Sequence, residues 1–168
     1  MLVNLSQTVT LAATQEEAWS LLRDTKRLAG LMPGVENIAS DREDPGRADG
    51  DALQEKLTVR VVERVGPFRL SLNLEVRIVQ AVEPSLLQAE LKGADSNGQN
   101  RLSGTLRAEL KKIEPAGTSL SMNASVEVMG RLAALGAGPI RRRANEQFAK
   151  FADRLQREFP PDGEGSKP

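Results

Sequence analysis

Residues 68–78 read FRLSLNLEVRI, and every second side chain is apolar. Phe68, Leu70, Leu72, Leu74, Val76 and Ile78 fall on one face; Arg69, Ser71, Asn73, Glu75 and Arg77 fall on the other. Successive side chains of a strand point to opposite faces, so this pattern demands an antiparallel sheet with one wet face and one that must be covered. The period recurs in EKLTVRVVERV (55–65), where Leu57, Val59 and Val61 oppose Lys56, Thr58 and Arg60. It recurs again in RLSGTLRAELKKI (101–113) and TSLSMNASVEV (118–128). LSQTVTLAA (5–13) reads as a first strand and LLQAEL (86–91) as a shorter one. Gly66-Pro67, VEPS, GADSNGQN and EPAG have turn chemistry. Glu55, Glu75, Glu109 and Glu127 are expected on the wet face.

Two helices interrupt the strands early. Thr14 and Glu17 have capping-box spacing, and Ala18, Leu21 and Leu22 share a face with Trp19 beside them. Asp24 supplies a second N-cap, and Pro33-Gly34 a stop. From Arg131 the period becomes helical. Leu132, Gly136, Ile140, Ala144 and Phe148 step by four, and Phe151, Leu155 and Phe159 continue the stripe. A helix over 131–159 would be about 43 Å long. One apolar sheet face and one long terminal helix are each other's natural cover. The expected architecture is α+β: a helix-grip fold, with a curved antiparallel sheet of about six or seven strands wrapped around the C-terminal helix. Residues 1–159 form one domain, and 160–168 a flexible polar tail.

GRLAALGAGPIRRR (130–143) resembles a phosphate loop at first sight, but it has neither GxxxxGK[ST] nor GxGxxG spacing. Read as helix, it is costly: each glycine gives up about 1 kcal/mol and an interior proline about 3 kcal/mol relative to alanine. Gly136 and Gly138 serve either close packing of backbone on sheet or a cavity beneath the helix. Pro139 either kinks the helix or begins a second segment. Arg141, Arg142 and Arg143 point in three directions and cannot converge on one anion. They are expected to be solvated surface, with a patch for anionic headgroups or an acidic partner as the alternative.

The residue inventory closes off several chemistries. The 168-residue chain contains no histidine, cysteine or tyrosine. Thiolate nucleophiles, Cys/His zinc sites and Ser-His-Asp triads are excluded. Lys plus Arg and Asp plus Glu both total 23. That balance, with so few aromatic side chains, argues against nucleic acid as a partner. The inward phase of the strands is almost wholly apolar, which suits an apolar ligand and offers little to a reaction. No catalytic residue, metal or cofactor is expected, although the loop DREDPGRADGD (41–51) could bring a carboxylate to the rim. Ligand contacts are expected at Trp19, Leu22, Met32, Val59, Val61, Phe68, Leu70, Leu72, Leu74, Leu106, Leu120, Met122, Leu132, Leu135, Gly136, Ile140 and Phe148. The N-terminus has no secretory leader and no run is long enough to span a bilayer, so the expected location is cytoplasmic, with transient peripheral contact at the inner face of the cell membrane.

LMPGVENI, RVGPFRLSLNLEV and GTSLSMNASVEVMGRLAALGAGPIRRRANEQFAKF together resemble the CoxG family, the G-subunit family of carbon monoxide dehydrogenase, in the START-like, SRPBCC helix-grip superfamily. The resemblance spans roughly residues 2–159. It implies a non-catalytic accessory protein that holds an apolar ligand between sheet and helix. Such a protein would deliver a quinone-like lipid to a molybdenum hydroxylase of the carbon monoxide dehydrogenase kind, or recruit that enzyme to the membrane. Pro139 departs from the family pattern. The chain also stops soon after the helix, without the extension and amphipathic anchor of some relatives, so carriage is expected rather than direct tethering.

Overall fold

The structure, a computed structural model, describes residues 1–42 and 55–161. Most of the loop expected at the rim, and nearly all of the expected tail, lie outside the described residues.

Seven antiparallel strands form one sheet. They are β1 (Leu2–Leu11), β2 (Val35–Arg42), β3 (Glu55–Val65), β4 (Phe68–Val82), β5 (Leu86–Asp95), β6 (Asn100–Lys112) and β7 (Thr118–Gly130). Their order across the sheet is β1-β7-β6-β5-β4-β3-β2. After β1 come α1 (Gln15–Arg23) and α2 (Thr25–Gly30), and after β7 a 3-10 turn (Arg131–Leu135) and α3 (Ala137–Arg157). This is the expected helix-grip arrangement.

The alternation sets the register. Val126, Gly104, Leu91, Val76 and Leu57 sit side by side across five strands on the inner face. Gly104 is required there, because a Cβ would stand 2.2 Å from the Ser125 carbonyl oxygen of β7. β2 has no clean alternation in VENIASDR, and its backbone explains why. Asn37 takes φ 51° and the register with β3 shifts between Glu36 and Ala39. β4 runs beyond its regular stretch because a bulge between Ile78 and Gln80 turns Val79 outward and resets the phase.

The helix caps follow the sequence. Thr14 Oγ1 accepts from the Glu17 N–H at 3.1 Å, and Glu17 Oε1 accepts from the Thr14 N–H at 2.8 Å. Asp24 caps α2 through the Arg27 N–H. The C-terminal segment corrects the expectation of one helix over 131–159. Gly136, at φ +84°, breaks it and becomes the N-cap of a 21-residue α3, about 31 Å long. Pro139 is the third helical residue. Its missing N–H costs nothing, since first-turn N–H groups lack intrahelical acceptors, and it sits in the first turn of the helix, two residues after its start, rather than kinking it. Neither glycine answers to crowding: a Cβ at 136 or 138 would meet nothing within 4 Å. Gly136 supplies the left-handed backbone, and Gly138 precedes a proline, whose ring disfavours a helical neighbour bearing a Cβ.

Candidate functional site

The buried side chains form two separate clusters rather than one core. The first gathers Val9, Leu11, α1, Leu110, Leu120, Met122, Phe151 and Leu155 around the C-terminal half of α3. The second gathers Val3, Val65, Leu70, Leu72, Val128, Leu132 and Ile140 around its N-terminal end. Between them lies a belt of inward-phase residues that stay only half-buried: Leu5, Leu74, Val76, Leu91, Leu102, Leu106 and Val126. Ala144 and Phe148 of α3 are half-buried as well, Phe148 against the first cluster. Inward-pointing leucines that water still reaches are not closed over by protein. They rest against the margins of the two clusters and keep part of their surface uncovered, so the inner face is closed less completely here than at either end.

The predicted ligand residues divide accordingly. Trp19, Leu22, Leu120 and Met122 are packed in the first cluster; Leu70, Leu72, Leu132 and Ile140 are packed in the second. Val59 is buried on β3. Leu74 and Leu106 belong to the half-buried belt, Val61 and Phe148 are half-buried too, and Phe148 stacks on Phe151 with ring centroids 6.5 Å apart. Met32, Phe68 and Leu135 are half-buried towards the ends, and Gly136 is exposed. The α3 residues approach the sheet from the β1 side, where Gln156 Nε2 donates to the Thr10 carbonyl at 3.1 Å.

The inner face is less apolar than expected. Gln7 shares the phase of Leu5 and Val9 and lies opposite the buried Met122. Glu55 was expected in water, but it shares the phase of Leu57 and Val59 and is 3% exposed. Thr25 Oγ1 donates to it at 2.6 Å, and Arg23 Nη1 stands 3.6 Å away. Glu63 is also inward. Arg143 Nε donates to it at 2.7 Å and Gln147 Nε2 donates to its other oxygen. So Arg143 is not the free surface arginine expected of the triplet; Arg141 and Arg142 are exposed. Burial pushes the Glu63 carboxyl up. The hydrogen bonds from Gln147, Arg143 and the Arg64 N–H, with the Arg143 charge, outweigh it and hold the group below the ordinary glutamate value of 4.5. Strand parity alone would have placed Gln7, Glu55 and Glu63 inside. Gln147 was legible too, four residues before Phe151 on the inward stripe.

Two grooves, of about 530 and 470 Å³, lie on the opposite, outer face of the sheet. Short polar side chains such as Ser6, Thr105, Asn123 and Ser125 line the first. Leu5, Val79 and Leu106 line the first as well, and Leu74, Leu102 and Met129 the second, so both are open grooves of mixed polarity. Among the described residues no helix is long and apolar enough to cross a membrane.

Several solved structures share this fold. A conserved protein from Geobacillus kaustophilus superposes with a TM-score of 0.74 at 20% identity, covering 94% of both chains. A START superfamily protein from Mycobacterium smegmatis gives 0.62 at 18% identity, over 92% of this chain and 95% of that one. The Zhui aromatase/cyclase from Streptomyces sp. R1128 gives 0.61 at 13% identity, over 94% and 93%. No curated protein matches by sequence. One family model matches, over residues 8–159: that of CoxG, the carbon monoxide dehydrogenase G subunit.

Proposed function

The chain belongs to the CoxG family, the G-subunit family of carbon monoxide dehydrogenase, and on that footing we propose that it is a non-catalytic carrier of an apolar or amphiphilic small molecule. The observation that carries this reading is the half-buried belt between two well-packed clusters. A leucine-lined space is costly to leave wet and favourable to fill. Covering about 300 Å² of a lipid tail contributes about 7 kcal/mol before the costs of association.

The cargo we propose is a quinone-like lipid and the recipient a molybdenum hydroxylase of the carbon monoxide dehydrogenase kind, met at the inner face of the membrane. The polar groups on the inner face fit carriage better than turnover. Glu63 is tied to Arg143 and Gln147 and holds its proton weakly, so it is a poor general acid near neutral pH. Recruitment of the same enzyme without cargo is the competing reading.

Organic extraction of the purified protein followed by mass spectrometry tests carriage. A stoichiometric apolar molecule is expected, and extracts without one overturn the carrier reading. Capture of a molybdenum hydroxylase by a protein free of cargo would leave recruitment standing. Turnover by the isolated chain would make it an enzyme.

A further inference from the structure

The chain is electrically neutral overall, yet among the described residues the arginines without a carboxylate partner, Arg154 apart, gather at one end. The second buried cluster ties together the N-terminus, the β3–β4 turn, the end of β7, the 3-10 turn and the start of α3. The β5–β6 turn joins this end, where Asn100 Oδ1 accepts from the Leu132 N–H at 2.7 Å and the Gln99 carbonyl accepts from the Arg131 N–H at 3.2 Å. Arg64, Arg69, Arg101, Arg131, Arg141 and Arg142 all belong to these segments, and all are exposed. Among the described residues none of them makes a salt bridge; elsewhere the arginines with described side chains are paired with carboxylates, Arg154 excepted. Two acids at this end are already paired, Glu63 with Arg143 and Glu127 with the N-terminal ammonium, while Asp95 keeps its charge and accepts from Asn100.

Apolar side chains are exposed among these charges. Leu2 is 54% and Met129 38% exposed, two of the four large apolar side chains that stand free of the core among the described residues. Arginines that diverge cannot grip a single phosphate, but a plane of anionic headgroups does not ask them to converge. Each adds its own attraction, about 1 kcal/mol near such a surface. Apolar side chains beside them can enter the headgroup boundary, which neither a duplex nor an acidic protein surface rewards in the same way.

We propose that this arginine-rich end is a docking surface for an anionic lipid bilayer. It gives the membrane-facing part of the carrier reading a physical address and rests on that part alone. The surface would lie against the bilayer with α3 beginning at the interface, so the end of the helix that leads into the half-buried belt is the end next to the lipid.

The test is sedimentation of the full chain with vesicles of neutral phosphatidylcholine, and with vesicles in which about a third of the lipid is phosphatidylglycerol. Binding to the anionic vesicles only is expected, weakening steeply between low and high salt. Arg141→Gln with Arg142→Gln should lower it about 25-fold, at about fivefold for each charge. Arg154→Gln, at the far end of α3, should leave it unchanged, and Met129→Ser should weaken it without altering the salt dependence. Equal binding to neutral vesicles, no binding to either, or insensitivity to the double substitution overturns the proposal. So does equally tight binding to polyglutamate or to a short DNA duplex, either of which would mark a general polyanion site. A protein that carries lipid yet ignores anionic vesicles would sink the docking surface and leave carriage intact; the reverse pattern would do the opposite.

Discussion

Arg143, in the second turn of α3, reaches the Glu63 carboxylate on the inner face of β3 through Nε at 2.7 Å and Nη2 at 2.6 Å. It is a polar fastening between the helix and a sheet face that is otherwise apolar. Gln147, one turn further on, donates to the same carboxylate. The N-terminal half of α3 is therefore held by Ile140 and by charge. The C-terminal half is held by Phe151, Ala152 and Leu155.

That fastening has a pH signature. The folded-state pKa of Glu63 is depressed, so its contribution to stability is fully present above the unfolded value, near 4.5. It is lost as pH falls through the folded value. Glu63→Gln is expected to cost about 1–2 kcal/mol at pH 7, discounted for the partial exposure of Arg143. Urea unfolding at pH 7, 5 and 3 should show the gap between variant and parent closing at the acid end. A gap of constant size would assign the cost to packing rather than to charge.

Leucines at different places in the fold should respond differently to truncation. Leu120 and Leu155 are fully enclosed, each 0% exposed, and Leu→Ala at either should cost about 2–5 kcal/mol through transfer and cavity terms. Leu74 and Leu106 are only half-buried, so less area is lost and a smaller cavity is left, and about 1–2 kcal/mol is expected. Equilibrium denaturation of the four variants decides it; equal losses would mean that the belt is as tightly packed as the ends.

Ala144 offers a way to plug the proposed ligand space. It lies one step of four beyond Ile140 on the inward stripe of α3 and is half-buried. Ala144→Phe should fold with a stability change of less than about 1.5 kcal/mol if the added ring enters open volume. It should also purify without apolar cargo. Retention of cargo at the parent level would place the ligand elsewhere.

Gly138 and Pro139 should be coupled. Alanine at 138 in the parent is expected to destabilise by roughly 0.5 kcal/mol, because the following proline ring disfavours a helical neighbour that has a Cβ. In a Pro139→Ala background the same change should stabilise by about 0.5–1 kcal/mol, the ordinary helical gain of alanine over glycine. A double-mutant cycle measures the interaction. Additive effects would show that Gly138 has another role.

Much of the fold was legible because local chemistry and burial agree. Phe68 to Ile78 alternate without error and form a regular strand. Thr14 with Glu17, and Asp24, cap the two short helices as read. The signal failed where the backbone departs from regularity: Asn37 and the bulges in β2 and β4 scramble a period-two pattern that assumes no extra residue. The stripe through Leu132 and Gly136 imitated a helix, but φ +84° at Gly136 ended it there. The candidate site was only partly readable, because apolar inward residues look alike whether they meet another side chain or a gap. Leu72 and Leu74 stand two residues apart on one strand; the first is buried and the second, packed at the margin of the same cluster, is only half-buried.

What the amino-acid order dictated was the set of faces: which side of each strand is greasy, which stripe of the last helix matches it, and which chemistries lack the atoms to occur. It also dictated membership of a family whose motifs are local runs of residues. Distances set by the curl of the sheet belong to the folded molecule alone. They separate the two packed clusters, turn Glu63 towards Arg143, and collect at one end arginines that lie as far apart in sequence as Arg64 and Arg142. Short-range preferences act over a few residues and survive in any context. The volume left between a sheet and a helix is a small difference between large dimensions, and only the assembled chain determines it.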